Sequence, residues 1–134
     1  MPTPSRWLVK TALLYFALAL GLGLVRAAET VGLASGVSVP LWLPQLHALT
    51  VGWLSQIVFG VAFWLFPRPS PDPWGEPLIW GAYAALNLGL VLRFVSEPML
   101  LPPSGRAWGL LAAAGLQWGA SLLLAGYFWW RLRA

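Results

Sequence analysis

His47 is the only histidine in the chain, and there is no cysteine. An imidazole can ligate a metal or carry a proton near neutral pH, so this residue has the widest chemistry the sequence offers. One histidine, no thiol and four carboxylates, none inside an apolar run, cannot close a zinc or copper site within one chain. The lack of cysteine also removes disulfides, iron–sulfur clusters and thioether-linked heme. A non-covalent heme b is different, because one axial histidine per chain can hold it. Its sixth position could come from His47 of a second copy, from Met99, or stay open to exchange. The competing reading makes His47 a helix cap or a headgroup contact with no ligand at all.

At 100° per residue, Val51, Leu54, Val58, Val61, Ala62 and Leu65 share the face of His47, while Gln56 points the opposite way. Val51, Leu54 and Val58 are therefore the candidate cofactor contacts beside His47. Such an aliphatic stripe suits a porphyrin edge and suits lipid equally. Tyr15, Gln56, Asn87 and Gln117 each fall near the middle of one apolar run and predict an interhelical hydrogen-bonded layer. None of the four ionises near neutral pH, which argues against a proton relay. Catalytic triads, paired carboxylates and glycine-rich phosphate loops are absent from the sequence, and no stand-alone catalytic activity is expected.

The elements that must position these residues are membrane helices. The chain has 134 residues, 59% hydrophobic and 9% charged, with a mean hydropathy of +0.72. That is an integral membrane composition. Four apolar runs are each long enough to cross a bilayer, at 7–25, 47–66, 78–95 and 108–130. A signal peptide is the alternative for the first run, but Arg26 stands where small residues should precede a cleavage site. Residues 26–46 read as a loop that enters the second helix with Pro44 in its first turn. The stretch PRPSPDPWGEP and the stretch SEPMLLPPSGRA read as proline-rich turns. The expected fold is all-α, a single-domain integral membrane four-helix bundle. Gly81, Ala85 and Gly89 on the third helix and Gly115 and Gly119 on the fourth allow close helix contact, inside the bundle or across a homodimer.

Net charge is +4, from seven Arg and one Lys scattered in ones and twos, with no basic run that could follow a phosphate backbone. Nucleic acid is not an expected partner. With both termini cytoplasmic, Arg6, Lys10, Arg68, Arg131 and Arg133 lie inside and Arg26, Arg93 and Arg106 outside, which the positive-inside rule favours. The second helix then runs inward, with His47 near its outer end. Trp42 and Trp108 mark the outer interface, and Trp7, Trp64, Trp80, Trp129 and Trp130 the inner one.

Leu46, His47, Ala48 and Leu49, followed by Gly52, Trp53, Gly60, Pro67 and Arg68, form a pattern seen elsewhere. It resembles the second helix of small four-helix membrane proteins related to heme-copper oxidase subunit I and to the large subunit of nitric oxide reductases. There a histidine pair, H-x-H, is commonly followed by L, GW, a glycine and a helix-ending proline. His47 matches the second histidine, and Gln45 occupies the place of the first. The resemblance covers about 25 residues and implies a role only for His47, as axial heme ligand near the outer face of an inward-running helix. The further histidines of an oxidase core are missing, so oxygen reduction by this chain alone is not implied.

Three functional readings follow. The first is a plasma-membrane b-type cytochrome that acts in electron transfer, heme handling or gas sensing as a homodimer with a respiratory-chain partner. The second is a cofactor-free accessory or assembly subunit of a respiratory membrane complex. The third, a small-solute path through the polar layer, has little room in four helices without an internal repeat.

Overall fold

A computed structural model describes residues 1–33, 40–67, 72–98 and 100–133. Among them are four helices long and apolar enough to cross a membrane and no strand, so the chain is an all-α, multi-pass membrane protein. They are α1 (Thr3–Thr30), α2 (Trp42–Leu65), α3 (Gly75–Ser96) and α4 (Pro103–Arg133). Each exceeds the apolar run that predicts it at one end or both. Hydropathy marks only the part that must sit in hydrocarbon, whereas the backbone stays helical into the headgroup region.

The ends follow local chemistry. Proline residues sit in the first turns of α1 and α4, where a missing N–H is harmless. Arg26 lies within α1 and not in the expected loop, because the stop signal comes six residues later at Gly32. Gly32 takes φ 76°, its N–H donates to the Glu29 carbonyl, and the Leu33 N–H donates to the Ala28 carbonyl. This paired closure needs a left-handed residue, which glycine supplies without strain. Pro44 falls in the first turn of α2 as expected, and it is buried. At the other end of α2, Phe66 turns extended before Pro67, as a residue preceding proline must. The Asp72 carboxylate then accepts from the Gly75 N–H at 2.9 Å and starts α3.

Within α2, Ala48–Ser55 is π-helical. Its wider turn advances each residue by less than 100°, so the wheel drawn from His47 does not hold through this stretch. The chain packs as two hairpins, α1 along α2 and α3 along α4, with α2 and α3 meeting between them. Leu8, Phe63, Ile79, Leu86, Leu124, Tyr127 and Phe128 form the core, at the end that holds both termini. Ring pairs Phe59–Phe128 and Phe63–Tyr127, with centroids 5.9 and 6.0 Å apart, tie α2 to α4 there. Leu14, Leu24, Leu88, Val91, Leu111, Trp118 and Leu122 are all more than half exposed and form the surface that lipid covers.

Glycine positions divide by what surrounds them. A Cβ on Gly52 would stand 2.6 Å from the ring of Tyr15 on α1, and one on Gly89 would stand 2.8 Å from Gln117 Cγ on α4. Gly81, Gly115 and Gly119 meet nothing within 4 Å. Of the small-residue positions, Gly89 therefore packs the bundle internally, and Gly81, Gly115 and Gly119 lie at open surface. Gly52→Ala is expected to cost about 1–3 kcal/mol by overpacking, while Gly115→Ala leaves unfolding within about 0.5 kcal/mol of the parent. Thermal unfolding of the two variants in one detergent checks the contrast.

Candidate functional site

The site grows from the start of α2 and the end of α3. His47 Nδ1 lies 3.0 Å from the Leu43 carbonyl one turn earlier and 2.9 Å from Glu97 Oε1. The same carboxylate oxygen accepts from Arg93 Nη1 at 2.9 Å, one turn back along α3. Arg93 Nε in turn donates to Gln117 Oε1 on α4 at 2.9 Å. A continuous polar chain, His47–Glu97–Arg93–Gln117, thus links three helices. The Glu97 side chain is only 3% exposed, against 20% for His47 and 21% for Arg93, so the carboxylate is the buried centre of the group. Glu97 Oε2, Ser96 Oγ and Gln117 Nε2 are buried without a hydrogen-bond partner.

This arrangement fixes the imidazole chemically. Both neighbours of Nδ1 are acceptors, so Nδ1 carries the proton, and in the neutral ring Nε2 keeps its lone pair. A carboxylate or carbonyl behind Nδ1 is the support that orients metal-ligating histidines and raises their basicity. The geometry suits a ligand or a proton acceptor at Nε2. It equally forms a clamp between α2 and α3.

Sequence reading placed His47 but missed Glu97 and Arg93, which it assigned to a turn and to a charge count. The available signal was their i, i+4 spacing beside Pro98, which marks an ion pair at a helix end. The candidate contacts do not form one face around His47. Val51 packs against the core, whereas Leu54 and Val58 are half exposed. Met99 falls outside the described residues. Gln45, at the place of a first histidine, accepts from Arg26 Nη1 on α1 at 2.7 Å and so belongs to the α1 side.

The polar layer is partly assembled. Gln56, fully buried, faces Asn87 at 3.4 Å and accepts from Thr11 Oγ1 at 2.8 Å. Asn87 also donates to the Tyr83 carbonyl at 2.8 Å. Thr11 was missed because it lies a turn away from the centre of its run. Tyr15 stays out of the layer and stacks on Phe94, with centroids 6.3 Å apart. Gln117 belongs to the Arg93 chain instead. Among the described residues, no three His, Asp or Glu side chains gather where a metal ion could be held. No family model, curated protein or solved structure matches the chain.

Proposed function

We propose that this chain is a b-type heme-binding membrane protein in which His47 Nε2 is the axial ligand, serving electron transfer, heme handling or gas sensing. The supporting observation is the double hold on His47 Nδ1 by Leu43 O and Glu97 Oε1, which leaves Nε2 as the free lone pair. Among the described residues, Arg26 and Gln45 line two neighbouring cavities at this end of the bundle. In this reading a second copy of the chain completes the cover of a macrocycle on His47. The homodimer, the plasma membrane, the cytoplasmic termini and a respiratory-chain partner belong to the same proposal. Protein purified after heme-replete expression is expected to show a Soret band that His47→Ala loses. A colourless parent, or a band unchanged in the variant, would overturn the proposal.

One observation favours the cofactor-free accessory subunit as a second reading. The chain from His47 to Gln117 gives the histidine a structural role without any ligand, and the open glycines of α4 offer a face for a neighbouring helix. Copurification of a colourless protein with oxidase or reductase subunits would support it.

A further inference from the structure

At the opposite end of the bundle from His47, a cavity of about 370 Å³ is lined by Asp72, Pro73, Trp74, Leu78, Tyr127 and Trp130. Its one carboxylate is rigid. Asp72 Oδ1 accepts from the Gly75 N–H at 2.9 Å, and Oδ2 accepts from the Tyr127 hydroxyl at 2.6 Å. The phenol proton is thereby committed to Asp72, and this polar edge presents acceptors with remaining lone pairs. Around it stand three aromatic side chains. Trp74 is 76% exposed and Trp130 49%, large surfaces for side chains that line a common cavity.

Among the described residues, Arg131 borders Tyr127 and spends several of its donors on backbone carbonyls. Arg131 donates from Nε to the Pro67 carbonyl at 2.7 Å and from Nη2 to the carbonyls of Phe63 and Phe66. Its guanidinium carbon lies 5.2 Å from the Phe63 ring centroid and 5.8 Å from that of Tyr127. Glu76 lies in the first turn of α3, two residues along the chain from the lining residues Trp74 and Leu78. Aromatic faces beside a carboxylate form an environment that attracts an organic cation through ring quadrupoles and charge together.

We infer that this cavity is a binding site for an alkylammonium group, with Trp74, Trp130 and Tyr127 as the aromatic walls and Asp72 as the counter-charge. The ammonium could belong to a lipid headgroup or to a free quaternary amine, and the two share the same recognition chemistry. The site is independent of heme at His47.

Titration calorimetry of the full chain in nanodiscs tests the assignment, with choline and its uncharged isostere 3,3-dimethylbutan-1-ol as probes. The expected result is choline binding at least about tenfold tighter than the neutral isostere, and weaker by about the same factor in Trp74→Leu, whose indole is largely exposed. Asp72→Asn keeps a cap acceptor for α3 and should also weaken choline while its unfolding temperature stays near that of the parent. Loss of choline binding when phosphatidylethanolamine replaces phosphatidylglycerol in the nanodisc identifies the lipid amine as occupant. Retention in both lipids identifies a free cation. Equal binding of choline and the isostere, no heat with choline in phosphatidylglycerol, or full binding in Trp74→Leu overturns the inference.

Discussion

Arg93→Ala is expected to destabilise the protein by about 3–5 kcal/mol, because it strips the guanidinium from a carboxylate that is almost wholly buried. Among the described residues, His47 would remain as the hydrogen-bonding neighbour of Glu97, and Gln117 Oε1 would lose its donor as well. The cost comes from the charge left without a counter-ion more than from the pair itself, so removing both charges should hurt less. Arg93→Ala with Glu97→Gln is accordingly expected to recover most of the loss. Thermal or denaturant unfolding of the two variants in one detergent decides it. A single variant within about 1 kcal/mol of the parent, or a double variant worse than the single, would contradict a buried charge at the centre of the site.

Phe63→Ala comes next in size. Phe63 is fully buried and touches both the Tyr127 ring and the Arg131 guanidinium, so truncation opens a void where α2 meets α4. Buried phenylalanine truncations cost about 3–5 kcal/mol in water-soluble cores. Inside a bilayer the transfer of apolar surface out of water contributes little, and lost packing remains. The expected loss is therefore near the lower limit, about 3 kcal/mol. Phe63→Leu, which keeps most of the volume, should cost less than half of that. The comparison separates packing from hydrophobicity, since both replacements are apolar.

The four spans were legible in the sequence because a bilayer imposes a minimum length and excludes charge from it, constraints that leave a mark in composition. The fit of Pro44 into the first turn of α2 was legible for a local reason, its missing N–H. What escaped the sequence depends on contacts or on a non-standard helix. Glu97 meets His47 across 50 positions of chain, and no local pattern announces that meeting. The π-helical stretch Ala48–Ser55 upset a face assignment that assumed regular α geometry, which separates Val51 from Leu54 and Val58. Gln56 and Asn87 did come together, since both are polar groups at one depth in apolar surroundings. Gln117 left that layer for a stronger attraction, the guanidinium of Arg93.

These contacts change the meaning of His47. In the sequence it sits at the head of an aliphatic stripe with no polar neighbour. In the structure its Nδ1 is held from behind by a carbonyl and a buried carboxylate, which is the support an axial ligand needs. The most direct test of axial ligation is the visible spectrum of His47→Gly with and without imidazole in the medium. The account predicts a Soret band in the parent, its loss in His47→Gly, and its return when free imidazole fills the vacated position. A band that survives intact in His47→Gly without imidazole would show that the iron is held elsewhere.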